Sequence, residues 1–226
     1  MGEMVTYRSD GRTSHGYLAL PAGGETRPAV IVIQEWWGMV PHIRTVADRF
    51  AEAGYVAFAP DLYQGIAADE PDEARRLLMG MALGQAAREI AGAAEYLTGR
   101  VDVSGKVGCV GFCSGGSLAL WSATLSERIV AAVGFYPSLP WERMQPDWSN
   151  YAGKAALIHC AEGGQRTDGV TAVVRAIEAA GGECVRHDYP GTRHAFFNDD
   201  RPDCYHPQAA TSAWARTLEL FRAKLG

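Results

Sequence analysis

Residue types that carry out acyl chemistry recur at the ends of apolar runs in this chain. The pentapeptide Gly111-Phe112-Cys113-Ser114-Gly115 matches G-x-S-x-G with cysteine in the serine place. In that pattern the nucleophile stands at a strained corner between a strand and a helix, and the flanking glycines avoid clashes that a Cβ would cause. Gly116 continues the close approach of helix to sheet. The helix N-terminus beneath the sulfur favours thiolate, because its field stabilises negative charge. A glycine-rich turn around a structural cysteine has the same spelling, so the company of Cys113 decides between the two. Glu35 follows "VIVIQ", Asp61 follows "AFAP", Tyr136 follows "AAVGF" and Glu162 follows "LIHCA". His194 sits in "YPGTRHAFF" after the last apolar run, which gives the chain order nucleophile, acid, histidine.

The other cysteines and histidines fit less well. Cys109 lies two residues before Gly111, inside the run. A C-x3-C pair bent across a strand and a turn is not a usual zinc spacing, and no nearby histidine completes it. Cys109, Cys160 and Cys184 therefore read as core packing, where free cysteine is common. Cys204, in "RPDCYHP", has no role assigned. His15 and His42 belong to a hairpin and a helix start, His159 and His187 lie in strand-like runs, and His206 adjoins Pro207. No metal or cofactor is expected.

The elements that must position these groups alternate. "MVTYRS" and "HGYLALP" read as a hairpin joined through "DGRTS". "AVIVIQE" (29–35) is a β-branched run suited to a strand buried on both faces. A helix opens at Pro41 and ends near Gly54, and "YVAFAPDL" follows as a strand. Helical periodicity covers 71–97 with a break near Gly80–Gly84. Strands at 106–111, 130–136, 155–160 and 183–189 then alternate with helices at 115–125, 170–180 and 208–224. This pattern predicts one α/β domain over 1–226, a mostly parallel sheet with helices on both faces. In such sheets ligands bind beyond the carboxyl ends of the strands, where the residues above fall.

Composition narrows the partners. With 226 residues, 21 Lys+Arg against 26 Asp+Glu and a net charge of −5, the chain shows no basic block, so nucleic acid and anionic membrane surfaces are poor guesses. The start, "MGEMVTYRSDGRTSHGYLALP", lacks the pattern of a secretory signal, and no apolar run approaches the ~20 residues of a membrane span. Five scattered cysteines suggest a reduced, cytoplasmic setting rather than a disulfide framework.

At "QEWWG", "APDLY", "GFCSGG" and "PGTRHAFF" the sequence resembles the dienelactone hydrolase family of the α/β-hydrolase superfamily. The motifs run from 34 to 197 in the expected order. The resemblance implies a Cys-His-Asp triad with an extra glutamate, opening an enol lactone through an acyl-enzyme. Cys113 then matches the nucleophile and His194 the histidine. Glu35 matches the glutamate that contacts the thiol and takes its proton when substrate binds. The oxyanion hole would use the backbone N–H groups of Ser114 and Trp36. A charge on Glu35 should raise the thiol pKa, and a resting thiol resists oxidation better than a thiolate.

Two departures stand out. Where the family has the triad aspartate, "HCAEGGQRTDGV" places Gly164, which cannot orient a histidine. Glu162, leaving the strand directly, and Asp168, just before a helix where N-capping is its ordinary task, both remain candidates. The family also binds the carboxylate of its substrate with two arginines, and this chain has Asn198 at one of those places. Arg201 is close but follows two aspartates, and Arg75 and Arg76 read as a solvated helix face. Trp36, Trp37, Tyr136, Trp141, Phe196 and Phe197 suggest an apolar cleft in which Trp37, Tyr136, Phe196 and Phe197 line the substrate. The expected function is hydrolysis of small neutral or apolar esters and lactones by a monomer or small homo-oligomer. A redox-sensing or ligand-binding protein without turnover and a thioesterase or acyltransferase are the alternatives.

Overall fold

The structure is a computed structural model that describes residues 2–163 and 167–226, without the side chains of Thr167 and Asp168. Eight strands form one sheet: β1 Glu3–Ser9, β2 Arg12–Ala19, β3 Arg27–Ile33, β4 Val56–Pro60, β5 Val103–Phe112, β6 Ile129–Phe135, β7 Ala155–Ala161 and β8 Glu183–Tyr189. Their spatial order is β1-β2-β4-β3-β5-β6-β7-β8. β2 runs antiparallel to both β1 and β4, and the other neighbours are parallel. The helices are α1 Pro41–Glu52, α2 Pro71–Gly80, α3 Leu83–Thr98, α4 Ser114–Leu125, α5 Thr167–Ala179 and α6 Pro207–Leu225.

Strand alternation sorts the core into two layers. Ile31, Ile33 and Cys109 point to the layer filled by α3, α4 and α5, while Val30, Val32, Val110 and Phe112 point to the layer filled by α1 and α6. This is the period of two expected when each strand is covered on both faces. Cys160 and Cys184 also pack in the first layer. His159 is fully buried between the Tyr189 hydroxyl (2.9 Å) and Thr217 Oγ1 (3.1 Å), a satisfied core histidine.

Two boundaries differ from the sequence reading. The first hairpin turns in two residues, Asp10 (φ 47°) and Gly11 (φ 74°), so Arg12–Ser14 join the strand. Positive φ at both turn residues is what a type I′ turn requires, and Asp-Gly supplies it. β5 begins at Val103, three residues early, because its exposed Ser104–Lys106 lack the apolar signature of its buried half. Among the described residues no helix is long and apolar enough to cross a membrane.

Candidate active site

The corner between β5 and α4 is built by glycine. A Cβ on Gly111 would lie 2.0 Å from the Gly115 carbonyl oxygen, and one on Gly115 would lie 2.3 Å from the Gln34 carbonyl oxygen. Larger residues at either place would push the strand and helix apart. The chain therefore turns sharply enough to put Cys113 at φ 55°, ψ −118°, a sparsely populated conformation for a residue with a Cβ. Backbone bonds brace it: Cys113 N–H donates to the Phe135 carbonyl (3.0 Å), and Ser138 N–H donates to the Cys113 carbonyl (3.2 Å).

The half-buried Cys113 sulfur lies 3.3 Å from Ser138 Oγ, and the backbone N–H groups of Ser114 and Trp36 point toward it. Ser114 owes its place to the first turn of α4, whose leading N–H groups have no partner within the helix. Trp36 follows the end of β3. Two N–H groups converging on one atom also suit an oxyanion formed beside it. Even so, the thiol pKa is pushed up to about 11, by burial first and then by the charge of Glu35. Those N–H groups and Ser138 pull it down without reversing the outcome. The thiolate expected from the helix N-terminus alone is thus overruled by desolvation and the neighbouring carboxylate.

Glu35 is 2% exposed. Asn198 Nδ2 donates to its Oε2 at 2.9 Å, and the Tyr136 hydroxyl donates to its Oε1 at 3.4 Å. Burial raises its pKa, and the Asn198 bond, the Arg201 charge and the Tyr136 bond offset only part of that rise. Tyr136 itself sits at φ 39°, with its N–H donating to the His159 carbonyl at 2.6 Å. Its ring packs edge-on to His194 with centroids 4.9 Å apart. His194 as a residue is exposed, but the ring has lost part of its hydration, and this, followed by the Arg201 charge, lowers its pKa. A neutral imidazole near pH 7 follows, a form able to accept a proton.

The loop carrying His194 is tied down at both ends. Gly191 N–H donates to Glu162 Oε2 at 2.6 Å, so Glu162 reaches the backbone three residues before the histidine. Beyond it, Asp199 pairs with Arg49, and its Oδ1 lies 3.2 Å from Nδ1 of the buried His42, both on α1. Among the described residues the His194 ring has no hydrogen bond to a carboxylate, and the side chain of Asp168, in α5, lies outside the described residues. Gly164 lies outside them as well.

The aromatic set divides. Trp36 and Trp37 are half-buried with ring centroids 5.0 Å apart, and the Arg201 guanidinium lies 5.5 Å from the centre of the Trp37 ring. Phe196 and Phe197 do not line a cleft. Both are buried, Phe197 stacked on Phe112 at 5.3 Å and Phe196 against Tyr189 at 5.0 Å. The reason is the turn after His194: with Ala195 at φ 70°, the next two side chains point into the α6 layer. Trp141 is buried too, in the layer with α4. Ser138 escaped sequence reasoning because it sits in an irregular stretch with no motif around it. Arg201 was discounted behind Asp199 and Asp200, yet Asp199 is occupied by α1 and Arg201 acts on both Glu35 and His194.

A sheet of this order with a positive-φ residue between strand and helix defines an α/β hydrolase. The chain belongs to the dienelactone hydrolase family, whose family model matches residues 14–225. It is 35% identical over its whole length, and that of the relative, to "Protein usf" of Aquifex pyrophilus. It is 33% identical, again end to end, to a protein of Aquifex aeolicus provisionally named a carboxymethylenebutenolidase. A crystal structure from Klebsiella pneumoniae provisionally described as a dienelactone hydrolase superposes with a TM-score of 0.86, at 27% identity and 98% coverage of both chains. The chain is accordingly a carboxylic ester hydrolase.

Proposed function

We propose that the protein hydrolyses small carboxylic esters or lactones through a thioester on Cys113. The observation that carries this reading is the placement of the Cys113 sulfur at the strained corner, with the Ser114 and Trp36 N–H groups converging on it and Glu35 and His194 on either side of Tyr136. The resting nucleophile is a neutral thiol. Its proton passes to the Glu35 carboxylate, whose raised pKa makes it a better acceptor than an ordinary glutamate. The sulfur attacks the carbonyl carbon, the oxyanion lies against the two N–H groups, and the C–O bond breaks. The alcohol leaves with the proton taken from the thiol. Neutral His194 then takes a proton from water, the resulting hydroxide attacks the thioester, and the imidazolium returns that proton to the departing sulfur.

Glu162 serves this scheme by holding the Gly191 end of the histidine loop, a positioning role. Asp168 is the other candidate acid. Replacement of one of the family's arginines by Asn198 favours neutral substrates over dienelactone. The redox-sensor alternative fits poorly, since a thiol with a pKa near 11 carries little thiolate at neutral pH and oxidises slowly. The test is Cys113→Ala with aryl acetates and simple lactones, together with intact-mass detection of an acyl adduct that forms and decays with turnover. Undiminished hydrolysis by Cys113→Ala would sink the assignment.

A further inference from the structure

The stretch after β6 is laced to the start of α4 at two places one helical turn apart. Ser138 N–H donates to the Cys113 carbonyl, which also accepts from the Gly116 N–H at 3.1 Å. Leu139 N–H donates to Ser117 Oγ at 3.0 Å, and the Ser117 hydroxyl donates back to the Leu139 carbonyl at 3.3 Å. Ser117 is fully buried. On the other side of Ser138 stands Pro137, whose ring fixes its φ. Ser138 is thus held through its own backbone and through both neighbours, with its half-buried side chain against the sulfur.

The Ser138 hydroxyl is used differently from others in the interior. The buried hydroxyls of Ser122, Thr124, Thr192 and Thr217 each donate to a backbone carbonyl, at 2.9, 2.7, 2.6 and 2.9 Å. Ser138 Oγ has one polar partner among the described residues, the Cys113 sulfur at 3.3 Å. A hydroxyl turns its single hydrogen to suit its neighbours. While the thiol is neutral, either group can donate to the other. Once the thiol has lost its proton the sulfur can only accept, and the hydroxyl becomes the donor. The backbone N–H groups of Ser114 and Trp36 also point at the resting sulfur. During acyl transfer those two are engaged by the carbonyl oxygen. Among the described residues Ser138 makes the one side-chain hydrogen bond to the sulfur, and it can stay there through the reaction.

We propose that Ser138 is a further catalytic residue, whose hydroxyl donates to the Cys113 sulfur each time that atom bears negative charge. This role rests on the thioester reading above and deepens it. The first occasion is the breaking of the S–H bond, when Glu35 takes the proton. The second is the breaking of the C–S bond, when the sulfur leaves the tetrahedral intermediate and the proton comes back from His194. The hydrogen of Ser138 stays on Oγ in both. A bond made to charged sulfur and not to bound ester lowers the barrier without tightening substrate binding.

The test is Ser138→Ala, which keeps the N–H bond to the Cys113 carbonyl, beside Ser138→Thr, which keeps the hydroxyl. With nitrophenyl acetate, kcat and kcat/KM of Ser138→Ala should fall together by about tenfold at unchanged KM, on the scale of one hydrogen bond to a charged group. Alkylation by iodoacetamide at about pH 9, read on the Cys113 peptide by mass spectrometry, should slow by about threefold, because roughly tenfold less thiolate is partly offset by the greater nucleophilicity of a more basic sulfur. Ser138→Thr should restore both quantities toward wild type. Unchanged turnover and alkylation in Ser138→Ala, with the acyl adduct on Cys113 still formed, would overturn the role and leave the thioester reading standing. A loss that Ser138→Thr does not repair would mark a merely structural residue and overturn it as well. The alkylation rate reads the hydroxyl–sulfur bond without turnover, so a wild type that forms no acyl adduct would sink the thioester reading separately.

Discussion

The Asn198 side-chain amide donates to the Glu35 carboxylate at 2.9 Å, where a cation would ordinarily be the partner of so deeply buried an acid. A neutral donor holds the carboxylate in place without cancelling its charge, which leaves Glu35 easily protonated and its charge free to act on Cys113. Much of the site's behaviour follows from that pairing.

The first consequence is a pH dependence of stability. The folded pKa of Glu35 lies above its ordinary value of 4.5, so the folded state holds this proton more tightly than the unfolded chain does. The resulting stabilisation is complete below 4.5 and is lost as pH rises through the folded pKa. Glu35→Gln removes the titration. Its Tm relative to wild type should climb across that window and then level off, while ester hydrolysis falls by about a hundredfold, as for loss of one acid-base group. Thermal unfolding at a series of pH values checks the sign, and a flat difference would contradict it.

Thiol reactivity gives a second prediction. Alkylation of Cys113 by iodoacetamide should be slow at neutral pH and rise toward a midpoint near 11. Glu35→Gln removes the carboxylate charge that raises the thiol pKa, so its midpoint should move down. Rates followed by mass spectrometry against pH give both midpoints.

Glu162→Ala leaves the Gly191 N–H without its acceptor. Loosening the histidine loop should harm deacylation more than acylation. The expected result is a lower kcat with an initial burst of alcohol and a detectable thioester on Cys113. Asp168→Asn made alongside separates the two acids: whichever variant accumulates thioester identifies the residue that serves His194.

Gly111→Ala should be among the most damaging single changes in the chain, because its Cβ would fall 2.0 Å from the Gly115 carbonyl oxygen. Loss of soluble protein or a stability decrease above about 4 kcal/mol is expected. Gly105→Ala is the control. It has a positive φ of 97° but open space around it, and should cost only about 1 kcal/mol, the backbone term alone. Denaturant unfolding distinguishes them.

The strand and helix sequence was legible because the inner strands β3, β4, β6 and β7 are covered on both faces and so read as nearly continuous apolar runs. The Cys113 corner was legible because it needs glycine at fixed places. The directions of side chains after a turn were not. Phe196 and Phe197 follow His194 in sequence, but the φ of 70° at Ala195 sends them into the core, and nothing in their spacing announces it. Ser138 and Arg201 reach the site from irregular segments, where position depends on contacts with distant elements such as Trp37 rather than on local pattern. Glu162 was recognised as an acid at a strand end, but which atom it would meet depends on the path of a separate loop.

The contacts that shape the Gly111–Gly115 corner are made by backbone atoms, and none needs the sulfur. Where the side chain of residue 113 stands and what element it carries are therefore separate properties of this chain. Serine or selenocysteine placed at 113 would inherit the same coordinates, which makes the position a socket in which leaving-group ability and proton affinity can be varied while the geometry is held constant.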